Sequence, residues 1–424
     1  MQKQFFNRSR ELDFKSFPIF LIILLPPSLV SGPAIPDILI TLLGLIFIFI
    51  SIKEKLINYF LNPLSILFFI FYLLILISAF FSDLPWISLI ERESIFYFRF
   101  ILFSLSICYF SRLYPNIYLY LAISLFITIL VISIDGSVEY FTGTSLFGIQ
   151  SAETRLFSLF IDEPIVGRYI SCATMLCVSL LIYHYGYKNN KIIFWIFSIL
   201  TIGEVFTFMS GERSAFAMIG SFSLIGLMLV TKRRFERIIF IIISVLTVTY
   251  LIQNQERTSE RFSQTINELD NNKEFPFLLA SPQHKSHYKS AFLMFKDNPI
   301  VGIGSNLFRH MCDKKEYVTS SNSCTTHPHH YYFQILAENG ILGFLIFCFF
   351  FISLIFYLFR HFISLIIQKY VRWRINDRQL LFYIFLFVML FPLWPSGNFY
   401  HNWTSIPLYL GLGFFLNLYI TAKN

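Results

Sequence analysis

The chain has 424 residues, of which 56% are hydrophobic and 14% charged, with a formal net charge of +8. A water-soluble domain carries roughly 25% charged residues, so a soluble globular fold is excluded. Apolar runs such as "LNPLSILFFIFYLLILISAFF" (61–81) and "IIFIIISVLTVTYLI" (238–252) approach the ~20 helical residues that cross a hydrocarbon core.

These runs lack the alternation of a barrel strand, and a spanning segment must satisfy its own backbone hydrogen bonds. An all-α polytopic membrane protein follows. In chain order the spans are predicted at 17–31, 35–52, 63–81, 94–110, 116–134, 166–183, 191–209, 213–230, 236–252, 331–358, 379–396 and 401–421. The basic start (Lys3, Arg8, Arg10, Lys15) resembles a secretory signal, but no small-residue cleavage site follows it. A second apolar run comes at once, so a retained anchor is expected.

The chain divides into spans with short loops (1–252), a large loop (253–330) and the last three spans (331–424). So long a connection is usually functional or disordered. Here "HYKSAFLMFKDN" (287–298) has the pattern of an amphipathic helix and "PIVGIGSNLFRH" (299–310) follows it, so a folded loop over the membrane face is expected. Further segments on that face are 135–165, "MSGERSAF" (209–216) and "PSGNFYHNW" (395–403).

Basic residues set the orientation, because cytoplasmic loops hold an excess of Lys and Arg. With the N-terminus inside, the inner segments and their membrane edges hold 19 of the 33 Lys and Arg but only 5 of the 25 Asp and Glu. Both termini are then cytoplasmic, and the large loop is periplasmic. The positive charge reflects topology and gives no reason to expect a nucleic-acid partner. Cys108, Cys172, Cys177 and Cys348 fall in spans, whereas Cys312 and Cys324 share the large loop and can pair in an oxidising compartment.

In "SGERSAF", Arg213 stands where a helix begins. A helix N-terminus attracts phosphate, and a guanidinium there adds matched donors; a snorkelling arginine paired with Glu212 or Glu204 is the plainer reading. His327, His329 and His330 crowd the mouth of the tenth span in "CTTHPHHYYFQILAENGILG". They suit acid–base work near neutral pH, or a polar cap. No Cys or acidic ligand stands at a familiar spacing for zinc. The GxG of "NPIVGIG" (298–304) is expected to supply a tight turn, since no phosphate-loop motif is present. Arg155, Arg168, Arg257, Arg261, Lys285, Lys289 and Arg309 make the same face cationic, which suits an anionic substrate arriving from lipid.

The stretch "HHYYFQILAENGILG" (329–343) resembles the hallmark of the O-antigen ligase and O-antigen polymerase superfamily, a His followed by Gly-x-x-Gly. His329, Gly340 and Gly343 match, and His330 stands where Asn is commoner. "FKDNPIVGIGSNLFR" (295–309) and "SGERSAF" are similar to two further family segments. The resemblance implies a membrane-embedded, GT-C-like glycosyltransferase of the bacterial inner membrane that is inverting and needs neither metal nor other cofactor. Its donor would be an undecaprenyl-diphosphate-linked glycan, and its acceptor lipid A–core or a second glycan.

Carried over, His329 is the base for the acceptor hydroxyl and Arg213 holds the departing diphosphate. His287 or Lys285 stands near the place of a further basic residue; Arg257, Arg261, Arg309, His327 and His330 are additional substrate-binding candidates. Ligase is the expected activity, with polymerase and protein glycan transferase as relatives that no single residue separates. A lipid-linked sugar transporter is the reading from another class. It would need charges near the midplane, where Glu204 is nearly alone.

Overall fold

The computed structural model describes residues 17–92, 94–151, 155–161, 163–256, 259–260, 263–264, 267 and 280–421. Arg257 and Arg261 lie outside the described residues. The architecture is all-helical, 75% helix, with no strand among the described residues. In chain order the helices are α1 (Phe17–Ser31), α2 (Ala34–Glu54), α3 (Pro63–Phe80), α4 (Arg99–Leu113), α5 (Ile117–Thr142) and α6 (Val166–Tyr185). Then come α7 (Asn190–Met209), α8 (Arg213–Leu229), α9 (Arg234–Asn254), α10 (Pro282–Asp297), α11 (Phe308–Met311), α12 (Tyr331–Ile366), α13 (Asp377–Met389) and α14 (Asn402–Thr421).

A helix coincides with each predicted span. Eight helices have the length and apolarity to cross a bilayer, and Phe17–Ser31 and Arg213–Leu229 are shorter apolar helices. Their starts follow local chemistry. Asn62 accepts the amides of Leu64 (3.1 Å) and Ser65 (3.0 Å) to open α3, with Pro63 in the first turn where its missing N–H costs nothing. Asn189 opens α7 the same way, accepting from Lys191 at 3.0 Å.

Three ends depart from expectation, one of them that of α12, which runs to Ile366 rather than 358. Helix α13 stops at Met389 rather than 396, ahead of Pro392 and Pro395, which cannot donate to a helical ladder. Helix α5 runs on to Thr142, eight residues beyond the predicted end. Its acidic residues read as the end of a span, but they are buried and serve as acceptors. Glu139 takes the amides of Phe157 (3.0 Å) and Ser158 (2.6 Å), and Asp135 takes that of Leu146 (2.8 Å). Buried carboxylates are tolerated only with such partners.

Helix α6 is central, with 83% of its apolar stretch buried, whereas α9 is peripheral at 17%. The exposed faces carry large apolar side chains, among them Phe49, Leu246 and Phe349. That surface suits lipid, which solvates apolar groups as well as a protein core does.

The region before α12 has a small core of its own. Ala291 and Met294 of α10 pack with Ile303, Leu307, Phe308, Met311 and Tyr317, and with Ala337 of α12. A disulfide joins Cys312 to Cys324 within it, with the two Cα atoms 4.8 Å apart. The predicted amphipathic helix begins five residues early, at Pro282, because Ser281 caps it.

Helix α12 is broken at Gly340, where φ is 63° and ψ is −166°. A break frees carbonyls in the preceding turn, and buried carbonyls need donors. The Gly-x-Gly segment provides them: Ile303 N donates to Ala337 O at 2.9 Å and Gly304 N to Glu338 O at 3.2 Å. In return Ile341 N donates to Pro299 O at 2.8 Å. The two glycine motifs, with Gly302 and Gly340 38 residues apart in the chain, are therefore halves of one backbone joint. The expected tight turn at Gly302 and Gly304 exists, and it seats the loop on the membrane helix.

Candidate active site

One cavity of about 690 Å³ opens at the end of the bundle where α6, α8, α10, α12 and α14 begin. Arg155, Arg168 and Arg213 line it, together with His284, His327 and His329. Each of these side chains is placed by a separate piece of local structure.

Arg213 is the first residue of α8, behind the turn at Gly211. Both acidic residues foreseen as its partners make hydrogen bonds of their own elsewhere. The Glu212 carboxylate accepts from Gly167 N (2.6 Å) and Arg168 N (3.2 Å), capping α6, and Glu204 bonds Ser223. Burial raises Glu212 to about 7, partly countered by the nearby Arg155 guanidinium. Arg155 is brought to the cavity by the segment that Glu139 anchors. The next residue, Leu156, donates its amide to Ser210 O at 3.3 Å, in the turn before Arg213.

His329 has a φ of 56°, a left-handed conformation uncommon outside glycine but enriched in histidine. Such outliers persist where surrounding contacts hold them. Here Ser396 N donates to His329 O at 2.9 Å, and Ser396 Oγ accepts from Tyr331 N at 2.8 Å. The turn after α13 thus fixes both the backbone of His329 and the first amide of α12.

Three other rings surround the His329 imidazole: His327 at 4.1 Å, His284 at 5.2 Å and His287 at 5.5 Å between centroids. His284 belongs to the capping box of α10. Its amide donates to Ser281 Oγ at 3.3 Å, and its Nδ1 accepts from Ser281 N at 3.4 Å. His327 bonds Thr326 Oγ1 at 2.9 Å through Nδ1. His330 turns away, its Nε2 on Pro392 O at 2.8 Å and its ring against Tyr288 and Phe333.

The predicted site residues therefore divide. His329, Arg213 and His327 meet in one cavity. His287 sits behind His329, while Arg309 lines a different cavity. His284 lines this one, directly before Lys285 in the chain, and sequence reasoning passed it over. The signal available was "SPQH", a capping Ser followed three residues later by a side chain able to reach back. Among the described residues no three His, Cys, Asp or Glu side chains are placed to hold a metal ion.

Burial pushes His329 down to about 4 and His284 to about 3, and the neighbouring imidazoles and Arg155 push in the same direction. His330 falls to about 4 through burial, and His327 well below its usual value for that reason and because His329 and Arg309 are close. These shifts all favour the neutral imidazole at pH 7, the form in which His329 can accept a proton.

A depressed histidine pKa means that the unfolded chain binds more protons than the folded one in the intervening range. Stability contributed this way is complete above the ordinary histidine value of about 6.5 and is lost as pH falls toward about 4. The melting temperature of the ligand-free protein should drop progressively over that window. A His287→Gln/His330→Gln double variant should show a shallower slope. Equal slopes would mean that the rings are not held neutral by their surroundings.

These features define a membrane-embedded helical protein with a cationic, histidine-bearing cavity at one end of its bundle. Residues 193–348 match the family described as O-antigen ligase. That match supports a place for this segment in the O-antigen ligase and polymerase superfamily, whose members are membrane enzymes of the glycosyltransferase kind acting on lipid-linked glycans. No curated protein matches the chain. The matched segment takes in Arg213, the joint at Gly302 and Gly340, and His329. Arg155, Arg168 and the Ser396 turn lie outside it.

Proposed function

We propose that the protein transfers a glycan from undecaprenyl diphosphate to a hydroxyl of lipid A–core, at the periplasmic face of the bacterial inner membrane. The observation that carries this reading is that Arg213 and His329, more than a hundred residues apart, line one cavity. The basic bias of the loops at the opposite end of the bundle supports the orientation.

His329 acts as general base. Its neutral imidazole takes the proton of the acceptor hydroxyl as that oxygen bonds to the anomeric carbon. The bond from that carbon to the diphosphate oxygen breaks in the same displacement, which inverts the centre. Undecaprenyl diphosphate leaves with the electron pair. Negative charge grows on the leaving group, so fixed cations stabilise the transition state more than the ground state. Arg213 is the principal cation, at the N-terminus of α8 where unpaired amides add to it. Arg155 and Arg168 stand beside it in the same cavity. The three guanidinium groups supply positive charge of the kind that a divalent ion brings elsewhere.

The test is the lipopolysaccharide profile of a deletion strain, complemented with wild-type protein or with an inactive variant. Full-length polymer left on its carrier, with bare core, is the expected result. Core bearing a single repeat unit identifies a polymerase with the same chemistry. A normal ladder in the deletion strain would remove the assignment.

A further inference from the structure

A second cavity, of about 310 Å³, lies on the other side of the turn that follows α13. Ser396 and Gly397 line the first cavity and Asn398 the second; Tyr400, His401 and Asn402 line the second, and Trp403 and Thr404 the first again. One short turn is therefore the partition between them. His327, which borders the first cavity, feels Arg309 and His401 of the second.

Remote segments supply the second cavity. Arg92 comes from the connection between α3 and α4, Arg99 from the first turn of α4, and Asn306 and Arg309 from the loop seated on the Gly340 joint. Its cations are not equivalent. Arg99 is held by Asp37, with Nε to Oδ1 at 3.0 Å. Arg92 donates through Nε to His310 Nε2 at 2.9 Å. His310 thus accepts from the guanidinium and brings no negative charge to it, and burial with Arg92 and Arg309 nearby lowers its proton affinity. Arg309 Nε is buried and has no hydrogen-bond partner among the described residues. Glu91 is the one carboxylate among the lining residues, and it is exposed.

Two guanidinium groups held close together repel each other unless an anion joins them, and planar guanidinium suits oxyanions. We propose that this cavity is an oxyanion subsite, in which Arg92 and Arg309 hold a phosphate or carboxylate borne by the saccharide that accepts the transferred glycan. The inference rests on the transfer reaction assigned to the first cavity. A diphosphate donor fills the cavity of Arg155, Arg168 and Arg213, and an acceptor must approach His329 from another side. The partition turn, which holds the His329 backbone through Ser396, also carries Asn398 and Asn402 into the subsite.

The test is ligand-observed NMR titration of the full chain in lipid nanodiscs with three soluble probes: glucosamine 6-phosphate, glucuronate and neutral N-acetylglucosamine. At least one acidic sugar should bind more tightly than the neutral one, and which of them does so identifies the anion. Its affinity should fall about tenfold or more in Arg309→Gln and in Arg92→Gln, the loss of a charge-assisted hydrogen bond, and stay unchanged in Arg213→Gln. Should one of the two variants fail to purify as a single species, the other carries the test. Binding that survives both variants, that is lost in Arg213→Gln instead, or that is no better than that of the neutral sugar overturns the proposal. Binding in His329→Asn stays as in wild type even though transfer is lost, so the subsite and the catalytic reading fail separately.

Discussion

Replacing His329 with Asn is expected to lower glycan transfer by ~10²–10⁴-fold, the range that a positioned general base contributes, with the fold and membrane insertion unchanged. Asn is the informative substitution because it tolerates the left-handed backbone that His329 adopts, with φ at 56°. The carbonyl at 329 therefore keeps its bond from Ser396 N, and α12 still starts in place. Alanine would confound loss of the base with backbone strain. Initial rates with a lipid-linked donor in detergent or nanodiscs are the measurement. The acid limb of the rate profile should also depend on what is bound. In the free enzyme the imidazole is held at about 4 by burial and by His287 and Arg155. A bound diphosphate brings opposite charge nearby and raises it. The limb seen in kcat should then lie at higher pH than that seen in kcat/KM. A rate for His329→Asn within a few-fold of wild type would assign the base elsewhere, with His284 the next ring to test.

Much of the architecture was legible because hydrophobic length is the strongest signal a membrane chain carries. Arg213 and His329 were legible for a different reason: each interrupts an apolar run at its mouth, where a charged or titratable group needs explaining. What stayed hidden depends on contacts between distant segments. The extension of α5 past residue 134 was invisible because Asp135 and Glu139 look like the end of a span. Only the returning amides of Leu146, Phe157 and Ser158 make them tolerable inside. Arg155 stood out only as one of many surface cations, since its place beside Arg213 follows from that same return. His284 was passed over for neighbours with a nearer match in spacing. The end of α13 was misjudged because "FPLWPSG" is apolar, although its two prolines argue against helix.

Changing Gly340 to Ala should be strongly damaging for a single added methyl, because it strikes the joint between the loop and α12. With φ at 63° and ψ at −166°, the residue lies in a region open almost only to glycine, and other residues there lose roughly 1–3 kcal/mol. An added Cβ would also fall 2.6 Å from Val301 N and nearer still to the Ile300 carbonyl, so backbone rather than a flexible side chain must give way. Overpacking of this kind costs a further ~1–3 kcal/mol. The loop from 299 would lift from α12, leaving the carbonyls of Ala337 and Glu338 without the amides of Ile303 and Gly304. Arg309 follows Gly304 by five residues, in α11, and His329 stands eleven residues before the break. Displacement at the joint therefore reaches both the proposed base and the proposed oxyanion subsite. The apparent melting temperature should drop by roughly 5–10 °C, taking the few degrees per kcal/mol usual for larger domains, and transfer should fall with it. Gly220→Ala in α8 is the control. Its Cβ would meet nothing within 4 Å, and alanine is the better helix former. If Gly340→Ala melts and turns over as Gly220→Ala does, the two glycine motifs are not halves of one joint.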